Sequence, residues 1–411
     1  MIRCINIDWL EVYCLEPTTT QPLDADFFES HGWRVSRREY GTRVYGQMFT
    51  IFDTNDIPML EVRRKPLSDI SRNGGLFDER SCHIRMCNNY CYMNNPIDIL
   101  RQFLARYNYI MMRIFRIDLA LDFTTFDKGD DPQKFIKRYV DGKYSKVNQT
   151  KLSAHGEDKW ESRSWNSLSW GKPKSMISTK MYCKTLELKQ VKDKPYIRQA
   201  WWHAGLIDNP ITGEKRQADG SITIPPIWRV EFSIKSSAKK WYIIERSDTR
   251  KQNKIAMPHT LNMYETREKL TQVFASLCRH YFRFKIYEKD KRKDRCADKI
   301  LFDFRYIDTY YEIDKPANNQ NASRLTERLI HAITKYEQTT IDPEQLKACQ
   351  TIVRGLRRLQ INEYAGTQMD AEDIIILQQV IALQTNPNNT NTLQQNIDLI
   401  RRMIQDNPNL F

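Results

Sequence analysis

Lys180-Met181-Tyr182-Cys183-Lys184 sets a phenol between two ammonium groups, with Glu187 three residues further on. The stretch alternates as a half-buried strand does. Ile177, Thr179, Met181 and Cys183 point one way, and Lys180, Tyr182 and Lys184 the other. A phenol becomes a nucleophile when a base takes its proton, and flanking ammoniums neutralise charge on a phosphate it attacks. The same residues also describe an ordinary solvated strand face.

Two other stretches carry carboxylates in the same kind of pattern. In Arg116-Ile-Asp-Leu-Ala-Leu-Asp-Phe123, Ile117, Leu119, Leu121 and Phe123 share one face and Arg116, Asp118, Ala120 and Asp122 the other. Asp118 and Asp122 would also share a helix face, but the strict apolar alternation predicts a strand. In Trp228-Arg-Val-Glu-Phe-Ser-Ile-Lys235, Trp228, Val230, Phe232 and Ile234 face inward, and Arg229, Glu231, Ser233 and Lys235 face out. If these strands share a sheet, Asp118, Asp122 and Glu231 converge with Tyr182 on one polar surface. Carboxylate oxygens so gathered suit Mg²⁺ or Mn²⁺, which polarises a phosphodiester under attack. The competing reading pairs the same acids with Arg116, Arg229 and the lysines across strands.

The three segments, in this order and spacing, resemble the replication initiation factor family, which includes rolling-circle plasmid initiators, filamentous-phage initiators and relaxases of conjugative elements. The resemblance rests on Arg116-Ile-Asp-Leu-Ala-Leu-Asp122, on Trp170-Gly-Lys-Pro-Lys-Ser175 followed by Met181-Tyr-Cys-Lys-Thr-Leu-Glu187, and on Trp228-Arg-Val-Glu-Phe232. It implies a strand-nicking enzyme that joins a 5′ phosphate to tyrosine and leaves a 3′ hydroxyl as primer. Tyr182 is then the nucleophile, and Asp118, Asp122 and Glu231 the metal or acid-base carboxylates. Lys180 and Lys184 stabilise charge, and Glu187 orients Lys184 or assists proton transfer. The DNA contacts expected are Arg116, Arg229, Trp165, Trp170, Lys172, Lys174 and Ser175. The resemblance also implies origin DNA as partner, a separate helicase and a homodimer. A conjugative relaxase with the same chemistry and a non-catalytic origin-binding protein are the alternatives.

The rest of the chain must position these residues. Its 411 residues suffice for two or three domains. The formal charge is +13. Ala317–Phe411 carries nine Lys/Arg against ten Asp/Glu, which leaves +14 on residues 1–316 and suits a polyanion partner. Residues 1–316 are expected to form an α+β region with an antiparallel catalytic sheet built from β-α-β units, and 317–411 a helical appendage. Strands are predicted over Ile5–Tyr13, with imperfect alternation, over hairpins in Arg34–Arg64, and over Ser81–Met93. Arg34, Arg37, Arg38, Arg43, Arg63 and Arg64 make a candidate DNA-contacting surface. Helices are predicted over Pro96–Tyr107, Pro132–Tyr139, Val191–Leu206 and Thr260–Tyr281, and Gly142–Arg163 reads as a polar, mobile connection. Of the tryptophans, Trp228 belongs in the core, whereas Trp165 and Trp170 are expected to be exposed and to stack bases.

Several chemistries are excluded. No apolar run is long enough to span a bilayer, and nine cysteines without a paired framework point to a cytoplasmic protein with reduced thiols. Cys82, His83, Cys87 and Cys91 match no zinc knuckle. No two histidines form a His-hydrophobic-His pair, and no phosphate-binding Gly-x-x-x-x-Gly-Lys-Ser/Thr loop occurs. Tyr287, a second tyrosine near lysines, lacks the Trp-Gly context of Tyr182.

Overall fold

A computed structural model describes residues 2–313 apart from 19–20, 43, 68–78, 149–151, 160–161, 172–174, 192, 239, 246–252, 290, 293–294, 305 and 308. The helices expected over 317–411, together with Lys172, Lys174 and Arg43, lie outside the described residues. Two compact units divide the chain. One comprises Met1–Tyr40, Gln47–Arg64 and Cys82–Lys315, and the other Gly41–Gly46, Lys65–Ser81 and Pro316–Phe411. All site residues discussed below belong to the first.

The fold is α+β, organised on a ten-stranded sheet. In chain order the strands as far as Lys235 are β1 (Arg3–Leu15), β2 (Arg34–Arg37), β3 (Tyr45–Phe52), β4 (Pro58–Pro66), β5 (Ser81–Met86), β6 (Ile110–Phe123), β7 (Tyr144–Lys146), β8 (Leu152–Lys159), β9 (Ser162–Trp170), β10 (Ile177–Cys183), β11 (Lys215–Arg216), β12 (Ile222–Thr223) and β13 (Trp228–Lys235). The sheet order is β2-β3-β4-β5-β1-β6-β13-β10-β9-β8, with β7, β11 and β12 in small separate ladders. The central pairs β1–β6, β6–β13, β13–β10 and β10–β9 all run antiparallel.

One face of this sheet is the main core. Ile5, Ile7, Leu10 and Val12 of β1, Ile117, Leu119 and Leu121 of β6, Val230, Phe232 and Ile234 of β13, and Ile177 and Met181 of β10 bury together there. The helices Pro96–Arg106 and Arg267–Tyr281 cover it with Ile97, Leu100, Phe103, Phe274 and Leu277. Both present apolar stripes at helical spacing. The opposite face is polar, and among the described residues two helices cover one end of it. There Cys4 packs with Leu188, Ile197 and Trp201 from the helices Lys184–Gln190 and Pro195–His203.

Several elements differ from expectation for identifiable reasons. Gly142–Arg163 is not a loose connection: β8 pairs along β9 as the edge of the sheet, where a charged sequence is tolerated. The strand predicted over Ser81–Met93 ends at Met86, where the Cys87 N–H bonds the Met59 carbonyl and a turn of helix, Asn88–Cys91, begins. Thr260–Tyr281 is divided into a 3₁₀ turn, Leu261–Tyr264, and a helix that starts at Arg267 under a Thr266 cap. Cys82, Cys87 and Cys91 are buried free thiols, and burial pushes the Cys87 thiol up to about 11.

Candidate active site

Strand register assembles the site. Across β10 and β13, Lys180 faces Glu231 and Tyr182 faces Arg229. Across β13 and β6, Arg229 faces Asp122, Glu231 faces Ala120 and Ser233 faces Asp118. Because side chains alternate with period two, these pairings hold Tyr182, Glu231, Asp118 and Asp122 on one side of the sheet. Asp118 and Glu231 are diagonal neighbours on that side, close enough to interact.

The Tyr182 hydroxyl donates to Glu231 Oε2 at 3.0 Å and accepts from Lys184 Nζ at 3.4 Å. A carboxylate that can take the phenol's proton and an ammonium that can face the resulting phenolate therefore touch the same oxygen. Burial and the adjacent Glu231 push the Tyr182 pKa well above that of a free phenol, against the pull of Arg229. Burial, then Asp8 and Asp118, raise the Glu231 pKa, with Lys180 and Arg229 opposing. A carboxyl with a raised pKa beside a phenol is a stronger base than an exposed glutamate.

Lys180 and Lys184 are not equivalent, although strand alternation treats them alike. Lys180 is exposed on β10. β10 ends at Cys183, and Lys184 opens a helix with its N–H bonded to the Ile227 carbonyl at 2.8 Å. That turn carries the Lys184 side chain inward to 1% exposure. Burial and Arg229 lower its pKa, while Asp8 and a close ion pair with Glu187 oppose the shift. Glu187 also accepts from Lys194 at 3.1 Å. It thus holds the Lys184 ammonium, as the sequence suggests.

Asp122 and Arg229 play another part from the one expected. Arg229 is fully buried. It donates to Asp122 through Nε at 2.6 Å and Nη2 at 2.7 Å, to Asp8 through Nη1 at 2.8 Å and to the Tyr92 hydroxyl at 2.9 Å. The Trp201 indole N–H closes the remaining side of Asp122 at 2.7 Å. The expectation that Arg229 contacts DNA and Asp122 binds metal is therefore corrected. The helices at this end of the sheet seal both from solvent, and a buried guanidinium needs its carboxylate.

The residue that sequence reasoning missed is Asp8. Ile7 pairs with Leu119 and Trp9 with Asp118, so Asp8 is the extra residue of a β-bulge. The bulge moves Trp9 and Glu11 onto the polar face while Leu10 and Val12 stay in the core. The imperfect alternation of Ile5–Tyr13 is its sequence signal. Asp8 accepts from Tyr92 at 2.5 Å and from Arg229. Burial would raise its pKa, but Arg229, Lys184 and Tyr92 outweigh burial and hold it below the usual value. It therefore stays ionised and presses upward on Glu231 and Asp118.

Asp118 accepts from Arg116 Nε at 2.9 Å and Nη2 at 2.5 Å. Burial nonetheless raises its pKa, with Arg116 opposing. Among the described residues no group of three or more His, Cys, Asp or Glu side chains is placed to hold a metal ion. The expected trio fails because Asp122 is spent on Arg229 and Trp201. Glu231 and Asp118 remain as two hard-oxygen donors, with both Asp118 oxygens already accepting from the half-exposed Arg116.

Of the other expected DNA contacts, Arg116 is half-exposed on the polar face. Ser175 is half-buried between β9 and β10. Trp170 is 1% exposed, donating to the Tyr139 hydroxyl at 3.0 Å and packed edge-on against Phe282. Its expected exposure is corrected, since it shares the inward phase of β9 with the buried Leu168. Trp165 is half-buried against the same core. In the Arg34–Arg64 stretch, Arg64 is buried on Glu16 and Arg37 is committed to Asp26 and Glu29. Tyr287 is 58% exposed beyond a short strand outside the main sheet, away from the carboxylates. Among the described residues no helix is long and apolar enough to cross a membrane.

Set beside known proteins, the chain matches no protein-family model and no curated protein. Among solved structures it is similar to a rolling circle replication initiator protein from Geobacillus stearothermophilus, at 15% identity and a TM-score of 0.40, over 72% of this chain and 92% of that one. A likeness this shallow carries no conclusion about activity.

Proposed function

We propose that this chain is a rolling-circle replication initiator that nicks one strand of origin DNA through Tyr182. The observation that carries the reading is the hydrogen-bonded series Lys184–Tyr182–Glu231 on the polar face of the sheet. Its support from sequence is the ordered set of motifs around Asp118, Tyr182 and Glu231 and the excess positive charge of residues 1–316. A conjugative relaxase would use the same residues for the same reaction.

Tyr182 Oη attacks phosphorus in line as its proton passes to Glu231. The P–O3′ bond breaks, and the departing 3′ oxygen is protonated from water. A 5′-phosphotyrosyl enzyme and a free 3′ hydroxyl result. Lys184, fixed by Glu187, faces the charge that develops on the phenol oxygen, and exposed Lys180 faces the non-bridging oxygens. Asp8 holds Arg229 and keeps Glu231 basic. Asp118 and Glu231 are the residues that would hold a Mg²⁺ or Mn²⁺ ion, their carboxylate oxygens being the hard donors such ions prefer. The ion would supply charge neutralisation at the phosphate. Because phosphodiester energy is kept in the tyrosyl ester, resealing needs no nucleotide, and unwinding falls to a separate helicase.

The test is mass spectrometry of the DNA–peptide adduct formed on supercoiled plasmid carrying the chain's own replicon, with Mn²⁺. An adduct on the Tyr182 peptide is expected. An adduct on another residue, or normal nicking by Tyr182→Phe, overturns the assignment.

A further inference from the structure

The polar face continues beyond the site, past the part covered by helices, over β6, β1, β5 and β4. At its centre Trp9 is half-buried between two guanidiniums. Arg116 of β6 lies 4.5 Å from the indole centroid and Arg85 of β5 lies 4.1 Å from it. β1 runs between β5 and β6, so the two cations reach Trp9 from opposite sides. The indole is itself held in place by its N–H, which donates to Glu11 Oε2 at 3.2 Å. Glu11 is buried and also accepts from Arg63 at 3.1 Å and His83 at 3.0 Å.

These two arginines differ in how well they are satisfied. Arg116 spends Nε and Nη2 on Asp118. Among the described residues Arg85 has one long approach to Glu61, 3.9 Å from Nη1, and its Nε is buried without a hydrogen-bond partner. Native proteins rarely leave a buried donor unmet, and a guanidinium held this loosely by its one carboxylate has capacity left for an anion. Stacking on Trp9 fixes the plane of each guanidinium, and the anion is met by the amino groups these contacts leave over, Nη1 of Arg116 and the Nη pair of Arg85. Asp118 links the arrangement to the nicking centre, because it pairs with Trp9 in register and binds Arg116 directly.

We propose that Arg85 and Arg116, spaced by Trp9, form a phosphate-binding subsite that holds the single strand of DNA running to or from Tyr182. The inference rests on the nicking reading for what lies at the end of the track. The occupant is a polynucleotide and not a lone anion, because two cations in series beside a phosphodiester-cleaving centre match a repeating backbone charge. Phosphate contacts set the register of the strand and carry no base preference.

The probe is a short fluorescent oligothymidylate, bound to the full-length protein without divalent ion over a series of salt concentrations. Arg85→Gln is expected to weaken binding about tenfold and to reduce the slope of log K against log salt by about 0.7, the loss of one single-strand phosphate contact. Oligodeoxycytidylate should show the same loss. Arg85→Lys, which keeps the charge and is the milder change to the fold, should retain most of the slope. Arg283→Gln, an arginine paired with Asp298 outside the main sheet, should bind as the parent does. An unchanged slope and affinity in Arg85→Gln overturns the subsite even if Tyr182 nicks as proposed. Arg85-dependent binding in a protein that forms no tyrosyl adduct leaves the subsite standing and removes the nicking reading instead.

Discussion

Tyr182 and Glu231 meet across β10 and β13 at 3.0 Å, phenol to carboxylate, although 49 residues separate them in the chain. On the nicking proposal, the proton that must leave the phenol therefore has its acceptor in place before substrate arrives. Glu231→Gln keeps the shape and removes the base, so adduct formation should fall by about 10²–10⁴. Because the Glu231 pKa is raised, the parent rate should climb with pH through a midpoint above the ordinary glutamate range. The variant should lose that limb. A residual rate with the parent's acid limb would show that another group takes the proton.

The same shift has a stability consequence of opposite sign. A carboxyl whose folded pKa lies above its unfolded one stabilises the fold below the unfolded value and loses that contribution as pH rises through the folded value. Above its unfolded pKa, Glu231 costs the fold stability because burial, Asp8 and Asp118 oppose its ionisation there. Glu231→Gln should melt at a higher temperature than the parent near neutrality, and the difference should vanish in acid. Equal melting temperatures at neutral pH would contradict the electrostatic account.

Asp118 and Asp122 are four residues apart on one face, yet they should behave differently. Asp122→Asn leaves Arg229 buried without its charge partner and should cost about 3–5 kcal/mol of folding stability, measured by denaturant titration. Asp118→Asn should fold normally and lose adduct formation. Reversal of the two outcomes would exchange their roles.

Binding of a divalent ion can be read without turnover. Mn²⁺ should raise the parent's melting temperature in a concentration-dependent way, since a ligand of the native state stabilises it by mass action. Glu231→Gln and Asp118→Asn should each abolish the increment, while Asp122→Asn should keep it on its lower baseline. A parent protein indifferent to Mn²⁺ in the absence of DNA, and equally so in its presence, would remove the ion from the site.

Trp170 gives a test of the core. Trp170→Ala should destabilise by about 3–5 kcal/mol, and oligothymidylate affinity measured well below the melting temperature should be unchanged. A selective loss of affinity would return the indole to the surface.

What the sequence disclosed and what it hid follow from one property of strands. Strict period-two alternation in Ile177–Cys183, Arg116–Phe123 and Trp228–Lys235 placed Tyr182, Asp118 and Glu231 on a common face once the strands paired. Alternation says only which side a residue faces, not what covers that side. The helices Lys184–Gln190 and Pro195–His203 close over one end, so Asp122 and Arg229 became buried partners there while Arg116 stayed half-exposed. Asp8 was hidden because a bulge interrupts the very periodicity by which a strand is read. Trp170 differs for another reason. Its inward phase beside Leu168 buries it in the core, whereas the local abundance of lysine and tryptophan has the composition of an exposed stacking surface.

Tyr182 sits on a strand hydrogen-bonded along both edges, with a helix beginning two residues later. On the nicking proposal, such a mounting would leave no tether by which a captured DNA end could drift away. The severed terminus would stay clamped where cleavage happened, and the incoming hydroxyl would have to travel to it. Joining would then be the cleavage geometry run in reverse, with fidelity in choosing which ends are united set by the rigidity of the sheet.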